Sequence, residues 1–483
     1  MLELVNLENP KMFIGGKWET AKEGATTGIY SPSTKEAVSQ IPRGGREEAE
    51  KAFHFAGKAF EEWSQMTAVA RAGFLLRIKD LLLENQEEVA KIMSLEMGKV
   101  YNESLAEVNF SAQFFEWYAE EGKRVYGETI PASDSEKRLT VIKQPVGVTF
   151  AITPWNFPLS MMARKVSASL AAGCTMVVKP ATQGSLTALA FAKLVEKAGV
   201  PAGVVNVVTG SAQAISEEAF NNELVKKVSF TGSTEVGRSL VKQSANQLKK
   251  LSLELGGHAP FIVFDDADLD KAADGVIASK FRNSGQTCVC ANRVYVHANI
   301  KDEFEEILVS KVKNLVVGNS LERASQIGPL VSEDGLEKTK YHVEDATGKG
   351  AKVLYGGTSP VNLDGYFYEP TILSEVTGDM IIMEEETFGP VMPLITFEED
   401  EDVIKQANNT EYGLAAYFYT QNLARSIRVS ESLNFGIIGV NDGMPAVPQA
   451  PFGGINHSGY GKEGGHQGIK EYLNEKYISL SIE

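Results

Sequence analysis

The sequence predicts an α/β protein built around a doubly wound parallel sheet, and two observations lead to this prediction. From Val146 onward, short apolar strands alternate with helical segments of ten or more residues, which is the pattern of a parallel sheet covered by helices on both faces. The chain is 483 residues long, which is too long for one ordinary core. We therefore expect more than one domain.

The N-terminal part of the chain is expected to form a hairpin followed by helices. Two short apolar pieces flank Gly15 and Gly16, which is typical of a β-hairpin. Residues 46–63 and 72–98 carry the spacing of amphipathic helices. We therefore expect helices from residue 45 to about residue 125.

The alternating region then gives strands and helices in turn. The predicted strands cover 146–153, 175–180, 204–210, 226–230 and 251–257, and the predicted helices cover 158–173, 185–199, a segment after residue 210, and 235–245. Ligands of such sheets bind at the carboxyl ends of the strands. The turns that follow 175–180 and 226–230 are therefore the first places to search for a site.

A second α/β pattern begins near Ala259 with the segment 260–264 and continues through 343–357 to 391–397. We interpret this pattern as a separate domain. The C-terminal segment 473–483 has strand character, and a strand at a chain terminus can pair with another subunit.

Composition narrows the class of partner. The chain carries 47 basic and 63 acidic residues, a net charge of −16, which argues against nucleic acid because phosphate binding needs clustered Lys and Arg. No window approaches about eighteen consecutive apolar residues, and the N-terminus does not resemble a signal peptide, so we expect no membrane span. Three cysteines indicate a reducing cytoplasm, and the six histidines form no metal motif.

Three residues are candidates for catalysis. Cys288 lies among small and polar residues in FRNSGQTCVCANR, where a thiolate would be open to a substrate, although a lone cysteine can also be a small buried apolar residue. Glu254 follows an apolar strand and precedes two glycines, so it is either a general base or an ordinary capping or surface glutamate. Asn156 lies in a turn with two prolines, where a rigidly held amide can donate to an oxyanion; such turns are also common without function.

The turn FTGSTEVGRS joins a strand to a helix and is a candidate anion site. Gly232 and Gly237 allow close approach of the backbone, and the helix N-terminus favours negative charge. The spacing resembles a phosphate-binding loop, but Arg238 stands where that motif has Lys, and the GxGxxG fingerprint is absent.

Two other charged residues are candidates for binding a cofactor. Lys179 ends a strand, where an ammonium can bind ribose hydroxyls or phosphate. Glu386 precedes Phe388, a pairing that can hold a ribose and a flat ring. Each could equally be a solvated surface charge.

Together these segments resemble the aldehyde dehydrogenase superfamily. The segments that carry the resemblance are ITPWNFP, AGCTMVVKPA, FTGSTEVG, LELGGHAP, GQTCVCANR, EEETFGPV and PFGG, in the family's order and approximate spacing. The resemblance runs from about Phe13 to the end. It implies a Rossmann-like NAD(P)-binding domain over 1–125 and 146–256, an α/β catalytic domain over 257–445, and a small β flap of oligomerisation strands over 126–145 and 468–483 that makes homodimers or homotetramers.

The resemblance also implies roles for individual residues. Cys288 matches the family's nucleophile, and Glu254 matches its general base. The oxyanion hole is matched by Asn156 together with the Cys288 backbone N–H. The cofactor-binding positions are Thr153, Trp155, Lys179, Thr182, Gly232, Ser233, Gly237, Leu255, Glu386 and Phe388. Thiolate attack on an aldehyde would give a thiohemiacetal, and hydride transfer to NAD(P)⁺ would convert it to a thioester. Water activated by Glu254 would then hydrolyse the thioester to an acid. Relatives that transfer the acyl group to coenzyme A usually lack that glutamate, so we expect an acid as product.

One position bears on the choice between NAD and NADP. Thr182 stands three residues after Lys179, where relatives with a strong preference for NAD often have Glu to bind the ribose 2′-hydroxyl. A neutral Thr removes the repulsion against a 2′-phosphate. We expect NADP to be accepted or preferred.

Two segments are similar to the succinate-semialdehyde dehydrogenase branch. They are FRNSGQTCVCANR and PLSMMARK, in which Arg282 and Arg164 would match the pair that binds the distal carboxylate; two surface arginines are the alternative. That branch usually has a serine before PFGG, where this chain has Ala446 and Val447. Another small semialdehyde, or an aliphatic or aromatic aldehyde, therefore stays open as the substrate.

Cys290 lies two residues beyond Cys288. In some relatives of this branch such a pair forms a reversible disulfide that stops activity, and a packed thiol is the alternative. Two other classes also stay open: a nitrilase-like hydrolase, which uses Cys, Glu and Lys without a nicotinamide, and a non-catalytic binding protein of the same fold. The combination of Cys288, Glu254 and Asn156 argues against the non-catalytic class.

Overall fold

The structure is a computed structural model that describes residues 3–482 of the chain. The helices of this range, in chain order, are α1 (Arg46–Trp63), α2 (Ala68–Glu84), α3 (Gln86–Met97), α4 (Tyr101–Glu121), α5 (Ser160–Ala172), α6 (Ser185–Lys197), α7 (Ala212–Asn221), α8 (Thr234–Ser244), α9 (Leu269–Phe281), α10 (Lys301–Val312), α11 (Glu333–Gly348), α12 (Asp400–Asn408), α13 (Leu423–Ser432) and α14 (Gly465–Lys470).

The strands, in the same order, are β1 (Met12–Ile14), β2 (Lys17–Glu19), β3 (Thr26–Tyr30), β4 (Ala37–Pro42), β5 (Glu128–Ile130), β6 (Lys137–Pro145), β7 (Val148–Thr153), β8 (Thr175–Pro180), β9 (Val205–Val207), β10 (Val225–Thr231), β11 (Lys250–Glu254), β12 (Ala259–Val263), β13 (Ala291–His297), β14 (Lys352–Tyr355), β15 (Thr371–Ser374), β16 (Val391–Phe397), β17 (Ala415–Tyr419), β18 (Ile437–Val440), β19 (Gly459–Tyr460) and β20 (Leu473–Ser481).

The first sheet is doubly wound, as the sequence predicted. Its order is β19-β11-β10-β7-β8-β9-β1-β2, and the strands from β11 to β9 are parallel to one another. The chain runs outward from β7 through β8 to β9 and then crosses back to β10 and β11. The strand order therefore reverses between β7 and β10, and the carboxyl ends of these strands border the crevice where such folds bind ligands.

The hydrophobic residues of this sheet explain its position inside the molecule. Every residue of β7 and β8 is buried, because both faces are covered: α1 and α7 pack on one side, and α2, α5 and α6 are part of a second cluster. Near-continuous apolar strands of this kind are typical of parallel sheets with helices on both faces.

The second sheet has the order β14-β15-β16-β13-β12-β17-β18 and is parallel except at β14. It begins at Ala259, where the sequence predicted a second α/β pattern. The predicted fold class is confirmed in both sheets. The division of the chain into domains at the stated boundaries stays a prediction, and β19, which belongs to the first sheet, lies outside the ranges assigned to that domain.

The third sheet joins the two segments that were predicted as oligomerisation strands. β20 pairs with β6 in antiparallel register from Leu473 opposite Pro145 to Ser481 opposite Lys137, and β5 pairs with the other edge of β6. The C-terminal segment thus finds its partner strand within its own chain. After Leu473 all residues of β20 are exposed, so its pairing with another subunit stays a prediction.

Two local features of the N-terminal region follow from single residues. The β1–β2 hairpin turns at Gly15 and Gly16, whose φ angles of 59° and 78° are in the left-handed region that glycine adopts without strain. The predicted helix over 72–98 is wrong in one respect, because it is two helices, α2 and α3, that break at Asn85. The amide of Asn85 bonds the Leu81 carbonyl at 2.7 Å, a local side-chain bond that competes with helix continuation.

Two features that bear on partners are absent from the described range 3–482. None of its helices is both long and apolar enough to cross a membrane. No three of its His, Cys, Asp or Glu side chains come together as a candidate metal site.

Candidate active site

A cavity of about 630 Å³ is bordered by α4, α5 and α9 and by the loop that carries Cys288. Its lining includes Cys288, and it includes both predicted substrate arginines, Arg164 and Arg282. Phe157 and Phe452 are also in the lining, which is predominantly apolar. The cavity therefore has the character of a small-molecule site, apolar with a few polar groups.

The loop before Cys288 has an unusual backbone conformation. Asn283, Ser284 and Gly285 have φ angles of 50°, 55° and 77°. A β-carbon on Gly285 would lie 2.1 Å from the carbonyl oxygen of Gly389, so only glycine fits there. Non-glycine residues in this region are strained and persist where the surrounding structure holds them.

Hydrogen bonds hold this loop in place. The Asn283 backbone N–H donates to a Glu103 carboxylate oxygen at 2.8 Å, and the Asn283 amide donates to the Asn156 and Gln286 carbonyls. The Ser284 hydroxyl donates to the Gly328 carbonyl at 2.8 Å. Cys288 is therefore presented by a rigid turn, which is what a positioned nucleophile requires.

The Cys288 side chain is partly exposed, and its electrostatic surroundings favour the neutral thiol. Burial, together with the nearby Glu386 and Glu254 carboxylates, raises the pKa of Cys288 to about 12, although Arg164 and Arg282 lower it. The carbonyl of Cys288 lies 2.2 Å from where a β-carbon on Gly257 would be. The backbone that follows Glu254 is thus packed directly against Cys288.

Asn156 lies in the turn after β7 and is buried. Its side-chain amide donates to the Gln286 carbonyl at 3.0 Å, two residues before Cys288. The backbone carbonyl of Asn156 accepts hydrogen bonds from Lys99 Nζ at 2.8 Å and from the Asn283 side-chain amide at 3.0 Å. The structure therefore brings Asn156 and the Cys288 loop together, with a second amide hydrogen available for another acceptor.

Glu254 is the last residue of β11 and is 2% exposed. Neither of its carboxylate oxygens has a hydrogen-bond partner within residues 3–482. Burial raises the pKa of Glu254 well above its usual value, and the neighbouring Glu463 carboxylate adds to this, while Lys165 and Arg164 oppose it. A buried carboxylate with an elevated pKa and two free oxygens has the properties of a general base near neutral pH.

The predicted cofactor residues lie mainly at the carboxyl ends of the first sheet. Thr153 ends β7, and its hydroxyl has no hydrogen-bond partner in the described chain. Lys179 lies near the end of β8, is 5% exposed, and has a pKa that burial alone lowers to about 8. Thr182 follows β8 in a short 3₁₀ turn. Buried polar groups without protein partners fit a site that a polar ligand completes.

The glycine turn caps α8 next to the same edge. The Ser233 hydroxyl accepts the Val236 N–H at 3.4 Å, and the Gly232 N–H donates to the Glu254 carbonyl. A β-carbon on Gly237 would lie 2.6 Å from the Leu255 side chain, so Gly237 allows α8 to pack against the segment after β11. The N-terminus of α8 thus lies directly after the end of β10, and a helix N-terminus favours a bound anion.

Glu386 and Phe388 reach the site from the second sheet. Phe388 packs edge-on against Trp155, with ring centroids 5.6 Å apart. A Glu386 carboxylate oxygen accepts the Gly257 N–H at 3.4 Å, and burial raises the pKa of Glu386 to about 8. These two residues therefore lie across the crevice from the strand ends that carry Lys179 and Thr153.

The two arginines differ in their surroundings. Arg164 is 3% exposed, lies between the Phe114 and Phe452 rings, and is 3.5 Å from Glu463. Arg282 lies over the Phe157 ring and forms no ion pair with a carboxylate of the described residues. In the described part of the chain, Nε of Arg282 has no hydrogen-bond partner, and neither do Nε and Nη1 of Arg164. Because Glu463 already neutralises Arg164, Arg282 is the arginine more available to bind a substrate carboxylate.

The remaining predicted positions give two observations. Ala446 lines the cavity and Val447 does not. Cys288, Cys290 and Cys174 are all free thiols in this structure, and Cys290 is buried with its sulfur 3.6 Å from the Lys280 carbonyl. The proposed Cys288–Cys290 disulfide stays a prediction.

Four buried charged residues of the site were not predicted from the sequence. They are Lys99, Glu107, Lys165 and Glu463, which form the ion pairs Lys99–Glu107 and Lys165–Glu463. The signal that could have found them is a charged residue inside an otherwise apolar helical segment, such as Lys165 in PLSMMARKVSASLAAG.

Fold and cavity together define a class of protein. A doubly wound sheet, whose strand ends carry unpartnered buried polar groups beside a cavity with an accessible thiol, is the architecture of a cofactor-dependent enzyme. The model of the aldehyde dehydrogenase family matches residues 18–478. The chain belongs to the aldehyde dehydrogenase family, and the resemblance found in the sequence is confirmed.

Three relatives locate the chain within that family. The NADP⁺ succinate-semialdehyde dehydrogenase GabD of Escherichia coli K12 is 50% identical over 477 residues, which is 99% of each chain. A glutarate-semialdehyde dehydrogenase of Pseudomonas putida is 49% identical over the full length of both chains. The crystal structure of a succinate-semialdehyde dehydrogenase from Burkholderia pseudomallei superimposes with a TM-score of 0.97 at 47% identity, covering 99% of this chain and 98% of that one.

Proposed function

We propose that this chain oxidises a small semialdehyde, most readily succinate semialdehyde, to the carboxylic acid with NADP⁺ or NAD⁺ as oxidant. The observation that carries the proposal is the convergence of three groups. The partly exposed Cys288 thiol lines the cavity, the Asn156 amide is fixed beside its loop, and Glu254 is buried with both carboxylate oxygens free of described partners.

The roles of these residues follow from their chemistry. The Cys288 thiol loses its proton to solvent, and the thiolate attacks the aldehyde carbon. The resulting oxyanion accepts hydrogen bonds from the Asn156 amide and the Cys288 N–H. A bound nicotinamide would supply the hydride acceptor that converts the thiohemiacetal on Cys288 to a thioester. Glu254 then takes a proton from water, which attacks the thioester and releases the acid.

The residues at the strand ends, in the turn before α8 and at 386–388 are suited to bind a dinucleotide cofactor. Lys179 would bind the ribose or a phosphate of the dinucleotide. The pyrophosphate would be bound by Ser233 and the N-terminus of α8. The nicotinamide half would be surrounded by Glu386, Phe388 and Trp155. The partnerless Thr153 hydroxyl and the buried ammonium of Lys179 support this assignment. NADP is the favoured cofactor because Thr182 presents no carboxylate to a 2′-phosphate.

Arg282 is the favoured partner for a distal carboxylate. Its guanidinium lines the cavity and keeps Nε free of described partners, and a guanidinium binds a carboxylate through two parallel hydrogen bonds. The two relatives named for succinate and glutarate semialdehydes both act on short aldehydes that carry a carboxylate. Ala446 offers no hydroxyl to that group, so glutarate semialdehyde, another small semialdehyde or an uncharged aldehyde is the alternative.

Assembly and location belong to the same proposal. We infer that the exposed third sheet pairs with a second copy of the chain to form a dimer or tetramer, and that the enzyme works in the cytoplasm. Exposed strand edges are a common route to symmetric assembly.

The experiment that tests the function is aldehyde-dependent reduction of NADP⁺ by the purified protein and by Cys288→Ala. We expect the variant to lose activity by a factor of at least about 10⁴, because the covalent step has no substitute. Cys290→Ala is the matched control, since it removes a thiol two residues away. Parental turnover by Cys288→Ala would overturn the proposal, and a parent that turns over no aldehyde would do the same.

A further inference from the structure

The candidate site contains the turn after β7 in the first sheet and the loop before Cys288, which leads into the second sheet. Residues 99–107 form hydrogen bonds with both segments. Residues 99, 103 and 107 are spaced four apart, and Glu103 and Glu107 lie one turn apart on α4. Lys99 lies two residues before the start of that helix. None of the three was a candidate from the sequence.

Lys99 bonds the turn that carries Asn156. Its ammonium is fully buried, forms an ion pair with Glu107, and donates to the Asn156 carbonyl at 2.8 Å. The same carbonyl accepts the Asn283 amide at 3.0 Å. One oxygen atom thus links Lys99, the turn after β7 and the loop before Cys288.

Glu107 fixes the other side of the same turn. One carboxylate oxygen accepts the backbone N–H groups of Leu159 and Ser160, each at 3.0 Å. These donors belong to the beginning of α5, where the first N–H groups of a helix lack intrahelical partners. The segment from Asn156 to Ser160 is therefore held at its first carbonyl and at its last two N–H groups.

Glu103 holds the nucleophile loop. It accepts the Asn283 N–H at 2.8 Å, at the first of the three residues with left-handed φ angles. A backbone in that region persists only where its surroundings fix it.

We propose that Lys99 and Glu107 are positioning residues, which hold the Asn156 amide in register with the Cys288 loop. Neither residue is required to touch substrate or cofactor. The proposal rests on the proposed function for its kinetic consequence, because a displaced oxyanion donor slows formation of the covalent adduct, which is the step that the first turnover reports.

The test compares Glu107→Gln with the double variant Lys99→Met/Glu107→Gln. Gln retains an oxygen that accepts the Leu159 and Ser160 N–H groups, and the Lys99 nitrogen still donates to Asn156. The double variant removes that donor without leaving an unpaired buried charge. Because Glu107→Gln alone leaves the Lys99 ammonium without its carboxylate partner, each variant is also compared with the parent, which separates loss of the ion pair from loss of the bond between Lys99 and the Asn156 carbonyl.

The readout is the rate of the first turnover, followed as the initial burst of reduced cofactor. We expect the double variant to be about 10²-fold slower than Glu107→Gln, the cost of a misplacement of about 1 Å. The Kd for NADP⁺ should stay unchanged, which a general loss of structure would not allow. The matched control is Lys227→Met/Glu471→Gln, another buried lysine with a carboxylate partner at 3.6 Å; it should lower Tm and leave the burst rate unchanged.

A crystal structure of the double variant provides a readout that needs no activity. We expect the Asn156 carbonyl to move and its 3.0 Å contact with the Asn283 amide to be lost. An unmoved Asn156 turn would overturn the proposal, and so would an equal burst rate in the two variants. If the parent oxidises no aldehyde, the proposed function fails, while the crystal structures still decide the positioning role.

Discussion

The two large sheets of this protein are both parallel and both contribute to one crevice, but they supply functional groups in different ways. The first sheet supplies them from strand ends: Thr153, Lys179 and Glu254 lie within the last two residues of β7, β8 and β11. The second sheet supplies Cys288 and Phe388 from loops. Phe388 has a φ of 55°, and the loop before Cys288 has three consecutive residues with positive φ.

The difference concerns how each group is fixed in space. A side chain at a strand end is positioned by the sheet ladder itself, so β-sheet register is sufficient to align several of them. A side chain on a loop with left-handed backbone is positioned by tertiary hydrogen bonds. Examples are the bonds that the Asn283 N–H donates to the Glu103 carboxylate and that the Ser284 hydroxyl donates to the Gly328 carbonyl. The strand-end groups should therefore tolerate neighbouring substitutions that the loop groups do not.

The largest expected effect tests the strand-end region. Glu254→Gln should reduce steady turnover by about 10²–10⁴-fold, because the amide cannot take a proton from water. The loss should fall on hydrolysis alone, so a burst of reduced cofactor close to one per active site should remain. Rapid-mixing absorbance at 340 nm measures both phases; unimpaired steady turnover would place the base elsewhere.

The pH dependence of Cys288 tests the loop region. Burial and two nearby carboxylates raise the pKa of Cys288 to about 12 in the protein without cofactor, so the neutral thiol predominates at neutral pH. The thiolate fraction should then rise about tenfold per pH unit, without the plateau that a thiol with a pKa of about 8.5 would give by pH 10. Alkylation of the Cys288 peptide by iodoacetamide, followed by mass spectrometry, gives the profile, and a plateau below pH 9 would contradict this account.

Substrate selection should depend on a single loop-side arginine. Arg282→Ala should lower kcat/KM for succinate semialdehyde by about 10- to 100-fold, because one charge-assisted bidentate contact is lost. An uncharged aldehyde of similar length should be affected much less. Arg164→Ala is the informative comparison, since Arg164 already pairs with Glu463 at 3.5 Å; an equal loss for charged and uncharged aldehydes would exclude Arg282 as the carboxylate partner.

The smallest expected effect concerns the cofactor. Thr182→Glu should shift the ratio of kcat/KM values for NADP⁺ and NAD⁺ toward NAD⁺ by about tenfold, through repulsion between the new carboxylate and a 2′-phosphate. Thr182→Gln serves as the control, because the Gln side chain is nearly the same size as that of Glu but carries no charge. A ratio that stays constant in Thr182→Glu would mean that the 2′-phosphate lies away from this position.

The same difference between the sheets explains what could be predicted from the sequence. The strands from β7 to β11 were predicted because apolar runs and intervening helices repeat along the chain, and Glu254 and Lys179 were found because they end such runs. The break at Asn85 and the bonds from Lys99 and Glu107 to the Asn156 turn were not predicted. The break at Asn85 follows from one local side-chain bond inside a continuous apolar periodicity, whereas the Lys99 and Glu107 bonds join distant residues, for which local sequence carries no periodic signal.

The central claim is that the Cys288 sulfur becomes covalently attached to the substrate carbon. Glu254→Gln should accumulate that adduct, since the step that removes it is the one impaired. The measurement is mass spectrometry of the digested variant after mixing with succinate semialdehyde and NADP⁺. The account predicts one succinyl group on the peptide that contains Cys288, retained in Cys290→Ala and absent from Cys288→Ala; an adduct on another residue, or none while cofactor is reduced, would contradict it.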